Sequence, residues 1–146
     1  MTEEQIIIDV MEDFAKALVD KDTDKAISFL TEDAVWLSPN GKFSNIAEIS
    51  KYIEWMNNNI ADQHITGTGI NILVKANAGV YEHIISGISK GRKWNALALC
   101  IYEFQDNKIN SIRMVYDRLN VAQQVTTGIA KTAVGNIVRE MEKGLH

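Results

Sequence analysis

The hydrophobic positions at the start of the chain recur at the spacing of an amphipathic helix. Thr2 and Gln5 have the spacing of a capping box, and apolar residues then follow every three or four positions to about Val19. We therefore predict a first helix that ends near Val19. A second, short helix is expected to follow, capped by Asp22 or Thr23.

A strand, a turn and a third helix are predicted next. Residues 34–38 favour a strand, and residues 39–41 favour a turn because proline fixes φ and glycine permits a positive φ. The third helix is expected to begin at Ser44 or Asn45, where Glu48 completes a second capping box.

From His64 onward the period of the pattern changes to two, which is typical of strands. Strands are predicted over residues 70–76, 80–89, 94–104 and 109–117. Helices followed by such a meander predict one α+β domain over residues 1–146, with helices covering one face of a curved antiparallel sheet. Residues 118–146 form a tail with a helical pattern of its own.

The last predicted strand ends in a carboxylate. A two-residue turn at 106–107 is expected to set Phe104 opposite Ile109. Alternation from that pair places Asp117 and Val115 opposite small residues of the neighbouring strand, namely Ala96, Ala98 and Cys100. A carboxyl group in such an apolar cavity has a raised pKa and can act as a general acid or base.

His83 is the second candidate for proton transfer. An even-numbered loop at 90–93 would place His83 and Tyr81 on the face that Asp117 is predicted to occupy, whereas an odd-length loop would move His83 away. Structural roles stay open as well: Asp117 could cap the following helix or pair with Arg113 or Arg118, and His83 could be an ordinary strand residue. His83 has no second ligand at metal-binding spacing.

Further residues are predicted to line the same pocket because they are aromatic, small or positively charged at positions expected to face it. They are Phe14, Trp36, Tyr81, Trp94, Ala98, Cys100, Arg113 and Val115.

Charge and composition narrow the functional classes. The net charge is −4 and no basic run occurs, so nucleic acid and anionic membranes are not expected partners. The acidic N-terminus is unlike a signal peptide, and no apolar run approaches the length of a membrane span. The single cysteine, Cys100, excludes an intramolecular disulfide. We expect a cytoplasmic protein.

The order of elements resembles the nuclear transport factor 2-like superfold, a cone-shaped α+β barrel with a cystatin-like arrangement. The segments that carry this resemblance are residues 19–36 and the hairpin at 106–112. Within the superfold, residues 116–119 (Tyr-Asp-Arg-Leu) with Gln123 and Gln124 are most similar to the SnoaL-like polyketide cyclase group. The resemblance implies that Asp117 is the acid/base of an aldol closure that needs no metal or cofactor.

Other branches of the superfold match less well. The Tyr donor, Asp base and Asp donor of the ketosteroid isomerases would fall at Phe14, Ser38 and Cys100, and the last-strand acid of the limonene-epoxide hydrolases would fall at Met114. Enzymes similar to scytalone dehydratase use His and Asp in the same cone. His83 with Asp117 leaves that chemistry open.

Three functions are therefore compatible with the sequence. The first is a cyclase or isomerase-like enzyme in which Asp117 moves a proton on an apolar, carbonyl-bearing ligand, assisted by His83 or Tyr81. The second is a cofactor-free dehydratase or hydrolase that uses His83 and Asp117 together. The third is a non-catalytic module that binds a small apolar molecule or dimerises.

Association is expected through the outer face of the sheet. An apolar patch is predicted there, and patches of this kind are usually covered. A two-fold homodimer is the simplest cover, with the 118–146 tail contacting the partner or closing the pocket. The predicted patch consists of Leu97, Leu99, Ile101, Ile112, Met114 and Tyr116.

Overall fold

A computed structural model describes residues 1–146 as five helices and six strands. The helices are α1 (Glu3–Val19), α2 (Thr23–Ser28), α3 (Asn45–Asn59), α4 (Arg118–Val125) and α5 (Gly128–Met141). The strands are β1 (Leu30–Ser38), β2 (Gly41–Ser44), β3 (Ala61–Lys75), β4 (Ala78–Ser89), β5 (Arg92–Gln105) and β6 (Lys108–Tyr116).

The predicted starts of the first helices are confirmed. Thr2 Oγ1 accepts a hydrogen bond from the backbone N–H of Gln5 at 3.1 Å, and the Asp22 side chain accepts one from the N–H of Lys25 at 3.0 Å. These bonds satisfy donors that the first helical turn would otherwise leave unpaired. The apolar stripe of α1 is buried, including Met11 and Phe14, which have no exposed surface.

The capping box predicted between Asn45 and Glu48 is confirmed in part, because Glu48 bonds to Ser44 rather than back to Asn45. Asn45 Oδ1 accepts from the N–H of Glu48 at 3.1 Å, and Glu48 Oε2 accepts from the N–H of Ser44 at 2.6 Å. The helix packs against β1 through its buried face, which consists of Ile49, Tyr52, Ile53 and Met56.

The six strands form one sheet in the order β2-β1-β6-β5-β4-β3. The prediction of a purely antiparallel sheet is wrong in one place, because β1 pairs with β6 in parallel. The edge strands β2 and β3 do not pair with each other, so the sheet is not closed into a barrel. Bulges interrupt β3, the β1–β6 pair and the β5–β6 pair, and such interruptions bend a sheet.

One of these bulges reverses the predicted facing of β6. The turn at 106–107 does set Phe104 opposite Ile109, but Glu103 then pairs with Ser111, so Asn110 is an extra residue. Its side-chain amide donates to Thr31 Oγ1 at 2.9 Å, which ties the bulge to β1. A shift of one residue moves every following side chain to the opposite face of the sheet.

The concave face of the sheet and the N-terminal helices enclose the core. Phe14 lies between the rings of Trp36 and Tyr102, at centroid distances of 5.8 Å and 6.1 Å. A smaller cluster of Ile85, Trp94, Ala96 and Ala98 lies next to α4, which contacts β5.

The convex face carries a smaller apolar patch than the sequence predicted. Leu97 is 58% exposed, Leu99 37% and Val115 63%. The β6 part of the predicted patch is wrong: because of the bulge, Ile112, Met114 and Tyr116 share the concave face with Ala98 and Cys100. None of the helices has both the length and the apolar composition needed to span a bilayer.

Candidate functional site

Asp117 lies away from the cavity that the sequence predicted for it. Tyr116, not Val115, pairs with Ala98, so the residue after Tyr116 does not face the small side chains of β5. The Asp117 carboxylate is exposed and accepts a hydrogen bond from the N–H of Asn120 at 2.9 Å, which makes it the N-cap of α4. Its role as an acid or base stays a prediction, without the geometry on which it was based.

His83 does lie on the concave face, as an even-numbered loop requires. The strands β4 and β5 are joined by a two-residue turn, and His83 pairs with Ala98. The ring is 3% exposed, and its Nδ1 donates to the carbonyl of Tyr81 at 3.2 Å, since a carbonyl can only accept. Burial lowers the pKa of His83 and this bond opposes the lowering, so the imidazole is neutral at neutral pH.

The structure does not join His83 to Asp117. The recorded partner of the imidazole is the Tyr81 carbonyl, and that of the carboxylate is the Asn120 amide. The two arginines that could have paired with Asp117 have other partners. Arg113 Nη1 contacts Glu103 at 2.8 Å, and Arg118 Nη1 donates to the Pro39 carbonyl at 2.8 Å.

The other predicted pocket residues fall into three groups. Phe14, Trp36 and Cys100 are packed in the main core, where burial raises the pKa of the Cys100 thiol to about 12. Arg113 and Val115 are on the convex face, so the prediction that they line the pocket is wrong for the same reason as for Asp117. Tyr81 lines a groove beside α1, Ala98 is in the smaller cluster, and Trp94 lines the cavity described next.

A cavity of about 290 Å³ lies where the ends of α3 and β6 meet the β4–β5 turn and α4, and we call it the cone-mouth cavity. Its apolar wall consists of Trp55, Ile60, Trp94, Tyr116, Val121, Ala122 and Val125. Five polar residues complete the lining: Asn40, Asn59, Ser89, Lys90 and Arg118. An apolar cavity with a few polar groups is the usual form of a small-molecule site.

One side chain of α4 fixes this helix against the sheet. Gln124 Oε1 accepts from the backbone N–H of Asn95 at 2.9 Å, and Gln124 Nε2 donates to the Asn95 carbonyl at 2.8 Å. β6 pairs with β5 only as far as Ala98. Beyond that point, the Gln124 side-chain amide makes the two hydrogen bonds to the β5 backbone that a neighbouring strand would otherwise make. These two bonds position Val121 and Val125 over the cavity.

Polar groups at the mouth can orient a ligand. The Tyr116 side chain is half-buried, and burial raises the pKa of its phenol, so it is a neutral O–H donor at neutral pH. The Tyr52 hydroxyl is already bound to Ser38 Oγ at 3.1 Å and to the Asn40 amide at 2.9 Å. Trp36 Nε1 is a buried donor with no partner among the protein groups.

Three cavities are larger than the cone-mouth cavity: the groove beside α1 that Tyr81 lines, of about 360 Å³, and two others. One of about 570 Å³, at the opposite ends of β1 and β6, is mostly polar and includes four carboxylates, those of Asp24, Glu32, Asp33 and Asp106. The other, of about 500 Å³, lies beside α3 and shares Asn40, Trp55 and Arg118 with the cone-mouth cavity. No three His, Cys, Asp or Glu side chains converge in a way that could hold a metal ion.

Sequence reasoning missed most of the cone-mouth lining. Two signals were present: Val121 and Val125 are four apart on the predicted tail helix, and Ile109 and Ile112 are three apart in the last strand. Both isoleucines are buried, at 0% and 1%, which strict alternation cannot achieve. That spacing of three was the local sign of the bulge.

Comparison with protein families gives a match to the SnoaL-like domain over residues 11–112. This segment runs from the second half of α1 to the middle of β6, which is well over half of the chain. The chain belongs to the SnoaL-like domain family. The residues after this match, from Arg113 onward, include both helices that follow the sheet. No curated protein matches the chain.

Solved structures similar to this SnoaL-like domain share its fold at low identity. A nuclear transport factor 2-like protein of unknown function from Burkholderia pseudomallei is 13% identical, with a TM-score of 0.77 over 87% of this chain and 100% of its own. A putative polyketide cyclase from Xanthomonas campestris is 17% identical, with a TM-score of 0.75 over 86% and 100%. An epoxide hydrolase from M. tuberculosis is 17% identical, with a TM-score of 0.73 over 90% and 97%.

Proposed function

We propose that this SnoaL-like domain binds a small apolar molecule in the cone-mouth cavity. The observation that carries the proposal is the apolar lining, seven of twelve residues, in a cavity of about 290 Å³. Such a volume is just below the range of about 300 to 1,000 Å³ that is usual for ligand pockets, so the ligand should be small. Transfer of an apolar ligand from water to this wall is favourable because it removes apolar surface of both from solvent.

The polar rim favours a ligand with a carbonyl group. The Tyr116 phenol and the Arg118 guanidinium both line the cavity and can donate hydrogen bonds to a carbonyl oxygen. A ligand of this kind needs no cofactor or metal for its binding.

A cavity-filling variant tests this function. We would measure binding of 2-acetylnaphthalene, a neutral carbonyl compound, by equilibrium dialysis. Ala122→Phe places a ring in the cavity and should abolish binding, whereas Ala130→Phe makes the same change at an exposed position of α5 and should leave binding unchanged. Equal binding by both variants and the wild type would show that the ligand does not occupy this cavity.

Catalysis is the second candidate function, and the observation that favours it is a neutral imidazole on the concave face of the cone. His83 lies opposite Ala98, and Ala98 is in turn paired with Tyr116 at the cone mouth. We propose His83 and Asp117 as the acid/base groups of such an enzyme, a cyclase, isomerase or dehydratase without a cofactor. Similarity in fold to a putative polyketide cyclase is consistent with this candidate.

Two variants of Asp117 separate binding from catalysis. In an enzyme that uses this carboxylate, Asp117→Ser and Asp117→Asn should lower turnover of a carbonyl substrate by a factor of about 10² to 10⁴ while binding persists. Because both replacements can still cap α4, a loss of turnover could not be attributed to loss of the helix. Full turnover in both variants would eliminate Asp117 as the acid or base.

We further propose that two copies associate through the convex face of the sheet. Support comes from Leu97, Leu99 and Val115, which are exposed there and adjacent across β5 and β6. Light scattering at micromolar concentration should give twice the mass of 16.4 kDa for the wild type and one such mass for Leu99→Lys. A monomeric wild type would contradict this proposal.

A further inference from the structure

The cavity beside α3, which we call the outer cavity, shares Asn40, Trp55 and Arg118 with the cone mouth but differs from it in the rest of its lining. It lies between β2, α3 and the start of α4, and its volume is about 500 Å³. Its lining combines aromatic rings with cationic groups: Asn40, Phe43, Glu48, Lys51, Tyr52, Trp55 and Arg118.

Local structure brings four of these residues together. Glu48, Lys51, Tyr52 and Trp55 are separated by three, four and seven positions along α3, so they share one face of the helix. The short strand β2 adds Phe43 beside this face.

The aromatic wall is a row of nearly parallel rings. Phe43 and Tyr52 are stacked with centroids 4.0 Å apart and planes at 7°, and Tyr52 and Trp55 are 6.4 Å apart with planes at 13°. Trp55 is 51% exposed, while Trp36 and Trp94 are 3% and 7% exposed. An exposed indole face that lines a cavity is suited to stacking with a planar ring.

Two positively charged side chains of the outer cavity, Lys51 and Arg118, can bind an anion. Neither Lys51 nor Arg118 takes part in a salt bridge. Arg118 donates from Nη1 to the Pro39 carbonyl, which fixes the guanidinium while its other N–H groups have no recorded partner. Glu48 is the one carboxylate in the lining, and it accepts a hydrogen bond from the N–H of Ser44.

We propose that the outer cavity is a binding site for a planar aromatic anion, such as an aromatic carboxylate. The ring stacks on Trp55, and the carboxylate accepts hydrogen bonds from Arg118 and Lys51. Charge-assisted bonds of this kind are stronger than bonds between neutral groups, so the anion is preferred over a neutral molecule of the same shape. This site goes beyond the proposed function, because it does not require the cone mouth to be occupied.

A matched pair of probes tests the charge preference. We would measure binding of naphthalene-2-carboxylate and naphthalene-2-carboxamide by equilibrium dialysis at low salt. The carboxylate should bind about tenfold more tightly, a preference that Lys51→Met should remove and Lys42→Met, on β2 but outside the lining, should retain. Trp55→Leu should weaken both probes. Equal binding of the two probes by the wild type would overturn the proposal.

A third variant assigns the probe to one cavity. Ala122→Phe fills the cone mouth, and Ala122 does not line the outer cavity, so binding of the carboxylate should be unchanged in this variant. Loss of carboxylate binding in Ala122→Phe, with no effect of Lys51→Met, would place the probe in the cone mouth and overturn the outer site, because Lys51 lines only the outer cavity. This result would leave the proposed function intact. Unchanged carboxylate binding in Ala122→Phe, together with loss of the carboxylate preference in Lys51→Met, would support the outer site alone.

Quenching of tryptophan fluorescence gives a measurement that needs no ligand. Trp55 is the one exposed tryptophan of the three, so it dominates quenching by small ions. The ratio of quenching by iodide to quenching by caesium should be higher for the protein than for free tryptophan amide, and it should decrease in Lys51→Met. A ratio below that of free tryptophan amide would contradict a positive potential at this site and would overturn the proposal.

Discussion

Loss of the Asp117 carboxylate should destabilise α4 through loss of its cap. In Asp117→Ala the N–H of Asn120 loses the acceptor that lies at 2.9 Å in the folded protein. The helix has eight residues and none of them is buried, so packing alone does little to hold it. The cap and the Gln124 bonds to Asn95 are therefore a large part of what keeps α4 in place.

The expected loss of free energy of unfolding in Asp117→Ala follows from the general effect of N-cap substitutions. Replacement of Asp by Ala at an N-cap costs about 1 kcal/mol, within a range of about 0.5 to 2 kcal/mol, whereas Asn and Ser cap about as well as Asp. For a domain of this size, about 1 kcal/mol lowers Tm by about 2 to 4 °C. Asp117→Ser and Asp117→Asn should therefore remain within a few tenths of a kcal/mol of the wild type.

Two assays report this effect. Urea unfolding followed by circular dichroism gives the change in the free energy of unfolding. Hydrogen exchange of the amides of residues 118–125 detects local opening of α4 if the helix opens separately from the rest of the domain. Because Val121 and Val125 line the cone-mouth cavity, Asp117→Ala should also weaken binding of 2-acetylnaphthalene, while Asp117→Ser should not.

If the Asp117 carboxylate were instead held in an apolar cavity, Asp117→Ala would have the opposite effect on stability. A carboxylate held in an apolar cavity for catalysis is commonly costly for the fold, so its replacement by Ala would raise stability. If Asp117→Ala were as stable as the wild type, or more so, with unchanged exchange in α4, the capping role derived from the structure would be refuted.

Three other perturbations test the fold and the site. Burial lowers the pKa of His83 in the folded protein, so the unfolded chain binds the proton more readily. The free energy of unfolding should therefore fall as the pH drops below about 6.5, and it should fall less steeply in His83→Gln; urea titrations at pH 7.5 and 5.5 measure both effects. Gln124→Ala should increase hydrogen exchange in α4 by about 5- to 30-fold because two hydrogen bonds to Asn95 are lost, whereas Gln123→Ala, an exposed neighbour, should not. Phe14→Ala should lower the free energy of unfolding by about 3 to 5 kcal/mol, since this ring is fully buried between Trp36 and Tyr102, and a loss below about 1 kcal/mol in urea unfolding would contradict its place in the core.

The helices and turns of this protein depend on interactions that are local in the sequence. The caps at Thr2, Asp22 and Asn45 each use an acceptor three residues before the N–H that it binds, so they could be recognised from spacing alone. The predicted turn at 106–107 and the position of His83 on the concave face follow from short loops, whose length fixes the register of the strands they join.

The wrong predictions for the facing of β6 have a common origin in contacts between segments that are distant in the sequence. Asn110 forms a bulge because its amide reaches Thr31, which is 79 residues away in the sequence, and this bond is possible only once β1 lies parallel to β6. The resulting shift of one residue moved Arg113 and Val115 to the opposite face and brought Tyr116 to the cone mouth, while Asp117 follows the end of β6 as the N-cap of α4.

The sequence by itself determined the family, the α+β class, the main helices and strands and the concave position of His83, because periodicity and capping are properties of neighbouring residues. Only the tertiary structure decided which residues line the cavities. The cone-mouth cavity takes its walls from α3, β6, the β4–β5 turn and α4, and the outer cavity from β2, α3 and Arg118. Their juxtaposition depends on the parallel β1–β6 pair, the bulge at Asn110 and the Gln124 bonds, and no periodic pattern within one segment encodes contacts of that kind.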